Sequence, residues 1–325
     1  MRQAGRYLPE YNKTRAKAGS FMSLCKNPEL ACEVTLQPIE RYGFDAAILF
    51  SDILTIPDAM GMELDFVEGY GPKFNNPIGN KNELLCTIQT EIDTKLDYVG
   101  STVKLIRENL NKNTPLIGFA GSPWTLACYI LGGGGSKDDF IQVRKWLYTQ
   151  PDLLILLLEK LTENIINYLT MQIKEGADAI MLFDSWGGLL SYLNFPIYSL
   201  HYLRQIILTL NKNFPTVPKI LFVKGGGVWL ESIVQLDCSG IGIDWTVDLK
   251  TAKKVAGRNC AIQGNLDPAV LLGDGNFVRK EVKKLLDSLT EEERKNGYIF
   301  NLGHGISQYT PPENVAILVD TIREY

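Results

Sequence analysis

The sequence is poor in the residues that usually bind transition metals in proteins. It contains two histidines, His201 and His304, which lie far apart in the chain. It also contains six cysteines, but no two of them form a Cys-x-x-Cys pair. Since zinc sites need His and Cys ligands at close spacings, this pattern argues against a His/Cys zinc site. Cysteines spread through a chain of this length are typical of reduced core thiols, and they favour a reducing compartment such as the cytoplasm.

Long hydrophobic runs and an excess of positive charge are absent as well. The longest apolar run, residues 153–158, is bounded by Asp152 and Glu159 and suits a buried helix better than a membrane span. The first residues do not have the pattern of a signal peptide. A net charge of −4 argues against a nucleic-acid partner. The hydrophobic content of 45% indicates a globular protein with a sizeable core.

Seven short apolar runs, rich in β-branched and aromatic residues, predict β-strands. The stretches between them have the spacing of helices, as in residues 91–111, where apolar residues recur every three or four positions. Nearly continuous apolar strands that alternate with helices indicate a parallel sheet covered by helices. The predicted strands are residues 45–50, 115–120, 178–183, 218–224, 239–245, 260–264 and 297–302.

Seven strands are one fewer than a closed (β/α)8 barrel requires. Barrels of this type commonly exceed about 250 residues as one domain. The sequence therefore predicts a single α/β barrel domain over residues 1–325, with the first strand largely missing. Met1, Arg2 and Gln3 are then expected to be the last residues of that first strand.

Polar or glycine-rich residues follow every predicted strand, and the active sites of barrels form at the carboxyl ends of strands. Asp52 follows the first of the seven runs, and His304, between Gly303 and Gly305, follows the last. Asp52 could stabilise a developing cation or accept N–H bonds, or it could cap the N-terminus of a helix. His304 could bind a carboxylate or transfer protons near neutral pH, or it could be an ordinary loop histidine.

The N-terminal segment concentrates arginine, because Arg2 and Arg6 lie four residues apart around Gln3, Ala4 and Gly5. A guanidinium group binds carboxylates in a bidentate manner, and small residues between two such groups let the backbone approach a ligand closely. The alternative is a solvated basic terminus, and these residues alone do not decide between the two.

Two glycine-rich segments fail to match a P-loop. The run at residues 132–135 is followed by Ser136 and then Lys137, which is not the Gly-Lys-Ser/Thr order of a P-loop. The run that begins at Lys224 is a similarly weak candidate for a phosphate-binding loop. Tyr129, just before the first run, could hydrogen-bond a ligand, although a core tyrosine is the commoner case.

These segments together resemble the uroporphyrinogen decarboxylase family, and its bacterial members above all. The similarity extends from the first residue almost to the last, and it is too specific to arise by chance. The matching segments are residues 1–11, 46–54 (AAILFSDIL), 115–126 (PLIGFAGSPWTL), 183–188 (FDSWGG), 242–246 (GIDWT), 263–268 (QGNLDP), 301–305 (NLGHG) and 311–313 (PPE).

The resemblance implies a homodimeric barrel that removes carbon dioxide from the four acetate side chains of uroporphyrinogen, in haem biosynthesis, without a cofactor or metal. The expected product is coproporphyrinogen. Asp52 is implied as the central catalytic residue, together with Arg2 and Arg6. The residues that the resemblance assigns to substrate binding are Arg2, Gln3, Ala4, Gly5, Arg6, Asp52, Tyr129, Ser185 and His304.

The sequence departs from the family at its start, where a leading segment normally precedes the Met-Arg-Gln-Ala-Gly-Arg motif. Closure of the barrel and the placement of Arg2 are therefore open questions at this stage, and a plastid-targeting leader is compatible with the pattern. Two other functions also stay open. One is a corrinoid- or folate-linked methyltransferase on a related barrel, and the other is a porphyrinogen-binding protein without catalytic activity.

Overall fold

The structure is a computed structural model that describes residues 2–67, 71–89, 91–135, 137–258 and 260–325. Met1, in the predicted first strand, and Ser136, after the glycine run, lie outside the described residues. The described part contains the strands β1 (Ala47–Ile48), β2 (Leu64–Val67), β3 (Gly71–Phe74), β4 (Leu116–Gly121), β5 (Ala179–Asp184), β6 (Lys219–Val223), β7 (Gly240–Gly242), β8 (Ala261–Leu266) and β9 (Tyr298–Leu302).

Helices precede the first strand and lie on the connections between later ones. The apolar face predicted for residues 91–111 is confirmed, because Val99, Val103 and Ile106 are buried on one side of a single helix, α6. The helices are α1 (Pro9–Ala18), α2 (Phe21–Cys25), α3 (Pro28–Tyr42), α4 (Thr55–Pro57), α5 (Lys81–Ile88), α6 (Asp97–Asn109), α7 (Pro123–Gly132), α8 (Ile141–Thr149), α9 (Pro151–Lys174), α10 (His201–Asn213), α11 (Leu230–Val234), α12 (Leu249–Ala256), α13 (Gly275–Asp287), α14 (Glu291–Lys295) and α15 (Pro312–Arg323).

Seven strands form one sheet in the order β1-β4-β5-β6-β7-β8-β9, and all neighbours in it are parallel. Each of the seven predicted runs overlaps one of these strands, so the predicted parallel α/β fold is confirmed. The strands follow one another in chain order, as they do in a (β/α) barrel. All their carboxyl ends therefore lie at the same edge of the sheet.

A small antiparallel hairpin of β2 and β3 is an addition that the strand prediction did not include. The amide of Phe74 donates a hydrogen bond to the carbonyl oxygen of Gly133 at 3.1 Å, which holds the hairpin against the end of α7. Gly134 has φ = 119° and packs against the backbone of β3, where a side chain would not fit. The glycine run after Tyr129 is thus a tight turn that receives the hairpin.

Side chains, and no further strand of the described chain, cover the outer edge of β1. The Gln3 side-chain amide donates to the carbonyl oxygen of Ala46 at 2.8 Å, and the amide of Ile48 donates to Gln3 Oε1 at 3.0 Å. Arg2 lies close to Gly305, since a Cβ atom added to Gly305 would be 3.6 Å from the Arg2 Cβ. The segment that precedes β1 therefore reaches the loop that follows β9. Its side chains provide the pairing that the backbone of a first strand would provide.

A separate group of apolar side chains packs beneath this junction of the two ends of the chain. It unites residues of α1, α2 and α3 with residues of α13 and α15. Tyr42 in α3 also donates a hydrogen bond to the Pro312 carbonyl oxygen at 3.0 Å. Packing between the first and last helices therefore brings the two edges of the sheet together. Members of the group include Leu8, Leu24, Val34, Val278, Val282, Val315 and Leu318.

Candidate active site

Polar side chains collect at the carboxyl-terminal edge of the sheet. Ser185 directly follows β5 and Lys224 directly follows β6. His304 lies two residues after β9, and Asp52 lies four residues after β1. Because the strands are parallel, these residues from distant parts of the sequence share one end of the barrel. Tyr129 joins them from α7, the helix that follows β4.

Asp52 is held by its own loop. Its Oδ1 atom accepts a hydrogen bond from the Leu54 amide at 2.8 Å, and its main-chain oxygen accepts one from Thr55 Oγ1 at 3.1 Å. The N-cap position of α4 is occupied by Leu54, so Asp52 does not cap that helix. Burial raises the pKa of the Asp52 carboxyl, whereas the Leu54 hydrogen bond and the positive charge of Arg2 oppose this increase. The other carboxylate oxygen has no hydrogen-bond partner among the described residues.

Arg2 is electrostatically close to several predicted site residues. Its positive charge acts to lower the pKa values of Asp52, Tyr129 and His304. Arg2 is exposed, and in the described part of the chain its guanidinium forms no ion pair. The structure therefore groups Arg2 with the other predicted site residues and leaves its guanidinium accessible to a ligand.

Arg6 lies further from this group. It is exposed, and its main-chain oxygen accepts a hydrogen bond from the Asn12 side chain at 2.9 Å. Burial raises the pKa of Tyr11, and the positive charge of Arg6 opposes this increase. Ala4 and Gly5, between the two arginines, are buried. The small residues therefore pack into the protein, while the two arginines between which they lie are exposed.

Aromatic rings pack around Tyr129 at this end of the barrel, and we call the region that they share with Asp52, Ser185, Lys224 and His304 the cleft. Tyr129 makes edge-to-face contacts with Phe140 and Trp186, with ring centroids 5.3 and 6.2 Å apart. Burial raises the pKa of the Tyr129 hydroxyl, and the negative charge of Asp52 raises it further. Tyr129 is therefore protonated at neutral pH and can donate a hydrogen bond to a ligand.

Asp184, which directly precedes Ser185, is a buried hydrogen-bond acceptor that the sequence pattern did not distinguish. Its buried carboxylate accepts hydrogen bonds from Ser122 and Thr125 at 2.8 Å each and from Ser199 at 2.5 Å. These donors come from the end of β4, the start of α7 and the turn before α10. Asp184 therefore connects these three segments next to Ser185 in the chain. Its position after an apolar run was visible in the sequence, but its burial was not.

His304 is neutral at physiological pH. Burial lowers its pKa from 6.5 to about 4, the charges of Lys224 and Arg2 lower it as well, and Asp244 opposes them. The imidazole can therefore form hydrogen bonds as a neutral ring, and it carries no charge of its own near pH 7. Gly303, which precedes it, lies so close to Trp245 that an added Cβ would be 2.7 Å from the Trp245 amide nitrogen. Gly303 is thus required by packing and not by access to the cleft.

A second buried carboxylate, Asp244, joins the loops after β6 and β7. It accepts hydrogen bonds from the Gly225 amide at 2.5 Å, and from the amide and hydroxyl of Thr246 at 2.8 and 2.5 Å. Lys224, next to Gly225, extends towards two indole rings, with its Nζ 5.7 Å from the ring of Trp186 and 5.9 Å from that of Trp245. Lys224 and the two tryptophans are further residues of the cleft that the sequence did not identify as such.

No group of three or more His, Cys, Asp or Glu side chains is arranged to hold a metal ion in the described ranges. No described helix is both long and apolar enough to cross a membrane.

Comparison with known proteins covers the whole chain. The family model described as uroporphyrinogen decarboxylase (URO-D) matches residues 1–325. A uroporphyrinogen decarboxylase of Legionella pneumophila is 52% identical over 324 residues, which cover 100% of this chain and 91% of the relative. One from Vesicomyosocius okutanii is 53% identical over 325 residues, covering 100% of this chain and 92% of the relative.

Solved structures with little sequence similarity share the fold. A methyltransferase from Methanosarcina mazei superimposes with a TM-score of 0.78 at 23% identity, covering 96% of this chain and 90% of that one. A B12-independent methionine synthase from Shewanella gives a TM-score of 0.58 at 9% identity, covering 91% and 88% of the two chains. At these identities the likeness concerns the fold alone.

Proposed function

This chain belongs to the uroporphyrinogen decarboxylase family, and from that premise we propose that it converts uroporphyrinogen III into coproporphyrinogen III by removing carbon dioxide from four acetate side chains. The observation that carries the proposal is the family match over residues 1–325, with about half of all residues identical to those of named decarboxylases. The same match supports treating residues 1–325 as one domain.

The proposed chemistry begins with a proton added to a pyrrole carbon of the substrate, which makes that ring cationic. The bond to the carboxylate then breaks, carbon dioxide leaves, and the electron pair flows into the cationic ring. A second proton on the exposed methylene carbon completes the methyl group, and loss of the first proton restores the pyrrole. Each acetate thus exchanges carbon dioxide for one proton. The cationic ring accepts the electrons itself, so the proposed reaction uses no cofactor.

Asp52 is the proposed catalytic residue for this sequence. The oxygen that accepts no hydrogen bond from the described protein is available to the pyrrole N–H groups. As a carboxylate held in place beforehand, it stabilises the positive charge that develops on the ring. The nearby charge of Arg2 favours this ionised form.

Arg2 and Arg6 are proposed to bind carboxylates of the substrate, and the remaining predicted residues to orient it. Tyr129 can donate from its protonated hydroxyl, and Ser185 directly follows Asp184, whose carboxylate three hydrogen bonds hold in place. His304 can form hydrogen bonds as a neutral ring. Gln3 contributes by positioning its neighbours, because its side chain is already hydrogen-bonded to the edge of β1. With Ala4 and Gly5, it places the two arginines.

We also propose a homodimer that works in the cytoplasm. Free cysteines, five of them buried and one exposed, suit a reducing compartment. A patch of exposed apolar side chains supports self-association: Tyr148, Tyr192, Leu193 and Val228 are 67–77% exposed. They are neighbours, since Asn194 bonds to the hydroxyl of Tyr148 and Tyr192 stacks on Trp229. We call these four residues the apolar patch.

Anaerobic incubation of the purified chain with uroporphyrinogen tests the proposed function. Products should lose carboxylates stepwise from eight to four, as separated by chromatography after oxidation. A folded chain that binds the oxidised porphyrin but releases no carbon dioxide from uroporphyrinogen would instead be a porphyrinogen-binding protein.

A further inference from the structure

Lys224 is fixed by its backbone at the end of the central strand of the sheet. Its amide donates to the Asp184 carbonyl oxygen at 3.0 Å, and its carbonyl oxygen accepts from the Gly188 amide at 3.0 Å. Gly225, the next residue, donates to the Asp244 carboxylate at 2.5 Å. Neighbouring strand ends thus hold the main chain on both sides of Lys224, so the direction in which its side chain leaves the backbone is well defined.

The ammonium group of Lys224 has aromatic neighbours and forms no ion pair within the described ranges. It lies 5.7 and 5.9 Å from the ring centroids of Trp186 and Trp245, within the range of cation–π attraction. The Asp244 carboxylate, which bonds to the residue after Lys224, is already occupied by Gly225 and Thr246. A half-buried cation without a carboxylate partner retains a strong tendency to bind an anion.

If Lys224 is left aside, the positive charges around the cleft lie on one side of it. Arg2 lies at the junction between the outer strands β1 and β9, and Arg6 is on the same N-terminal segment. β6 is the middle strand of the seven, so in the curled sheet it faces that junction from across the barrel. His304 adds no positive charge at neutral pH. A ligand with carboxylates around its whole rim would therefore lack a cationic partner on the β6 side.

We propose that Lys224 binds a side-chain carboxylate of the substrate on the β6 side of the cleft, across the barrel from Arg2 and Arg6. The inference rests on the proposed function, since it takes its ligand from there. Trp186 and Trp245 flank the ammonium group and restrict where it can point. The three cations then surround the ring and orient it over Asp52.

A phosphate-binding role for the loop that begins at Lys224 is less favourable. Phosphate loops bind anions through converging backbone amides. Here the Gly225 amide is bonded to the Asp244 carboxylate, whose negative charge opposes an anion at the backbone. The side chain of Lys224, and not the backbone of the glycine run, is therefore the part that attracts an anion.

The test uses uroporphyrin, the stable oxidised ring with the same eight carboxylates, and follows its binding by quenching of tryptophan fluorescence. Lys224→Met keeps the length of the side chain but removes its charge, and it should weaken binding about ten- to a hundredfold. Lys224→Arg keeps the charge and should stay within a few-fold of the wild type. Lys254→Met, which changes an exposed lysine on α12, is the matched control and should bind normally.

A second measurement uses the wild-type chain, so it does not depend on how the variants fold. Reductive methylation followed by mass spectrometry should show that uroporphyrin protects Lys224 and leaves Lys254 reactive. Equal binding by Lys224→Met and wild type, or equal methylation of Lys224 with and without uroporphyrin, overturns the inference. A wild-type chain that fails to decarboxylate uroporphyrinogen counts against the proposed function, whatever the result at Lys224.

Discussion

At the scale of single residues, Asp52 combines a structural bond with an unoccupied oxygen. An Asp52→Asn variant can still accept the Leu54 amide, so we expect it to fold normally. It loses the negative charge that stabilises the cationic ring, and the rate of decarboxylation should fall about a hundredfold or more. Anaerobic kcat measurements test this, with Asp274→Asn as control, because Asp274 is an exposed cap of α13. Turnover by Asp52→Asn within a few-fold of the wild type would refute the assignment.

The neutral state of His304 makes a prediction about acid stability. Its pKa falls from 6.5 in the reference state to about 4 in the folded chain. Between these values the unfolded chain binds a proton that the folded chain does not. The contribution of neutral His304 to the free energy of unfolding is therefore complete above pH 6.5, and it is lost as the pH falls towards 4. The loss through this one residue is about 3 kcal/mol in the free energy of unfolding.

Denaturant unfolding at pH 7 and pH 5 measures this effect. His304→Gln should lose less stability between the two pH values than the wild type does. His201→Gln, at an exposed position on α10, should keep the wild-type dependence. Identical pH dependence in His304→Gln and wild type would show that His304 titrates normally.

Three aspartates at strand ends show how far single residues could be predicted. Asp52, Asp184 and Asp244 each follow an apolar run, and nothing local distinguishes them. The structure separates them by their partners: Asp184 and Asp244 are each saturated by three donors, and Asp52 is not. Several of those donors come from neighbouring strand ends, namely Ser122 and Thr125 for Asp184 and the Gly225 amide for Asp244, so only the assembled barrel reveals them. The resemblance to a family, and not the local pattern, selected Asp52.

At the scale of elements, the strands of the parallel sheet were predictable because most of them are buried apolar runs that polar or glycine-rich residues follow. Residues 178–183, for example, correspond to Ala179–Asp184. The hairpin of β2 and β3 was not predictable in this way. Its strands have four residues each, and they depend on contacts with the distant turn at Gly133. Pairing that relies on long-range contacts leaves little periodicity in the sequence.

The edge of β1 gives a prediction at this scale. Gln3→Ala removes both side-chain bonds to β1 and leaves the Ala46 carbonyl and the Ile48 amide without their partner. We expect the free energy of unfolding to fall by about 1–3 kcal/mol. Gln3→Glu can still accept from Ile48 but cannot donate to Ala46, so its free energy of unfolding should lie between those of the wild type and Gln3→Ala. Gln142→Ala, at an exposed position on α8, is the control. Unchanged stability in Gln3→Ala would mean that water replaces the side chain without cost.

At the scale of the whole molecule, the apolar patch predicts the oligomeric state. Leu193 is 77% exposed, and exposed apolar clusters of this kind commonly mark interfaces. Leu193→Glu should convert a dimer into a monomer, because a buried unpaired carboxylate opposes association. Leu208→Glu, which alters an exposed leucine on α10, should remain dimeric. Analytical ultracentrifugation distinguishes the two. A wild-type chain that is monomeric at micromolar concentration, or a Leu193→Glu variant that stays dimeric, would count against the patch.

The junction between β1 and β9 couples ligand occupancy to the integrity of the sheet. Arg2 and Gln3 are consecutive in the chain, yet Arg2 lies against Gly305 while Gln3 is bonded to the edge of β1. A carboxylate that binds Arg2 therefore restrains the same dipeptide that covers this edge, and a filled cleft opens less often. In the proposed reaction the ring loses half of its carboxylates, so its electrostatic attraction to the junction weakens with each decarboxylation. We therefore expect the product to restrain this junction less than the substrate does, which favours release of the product.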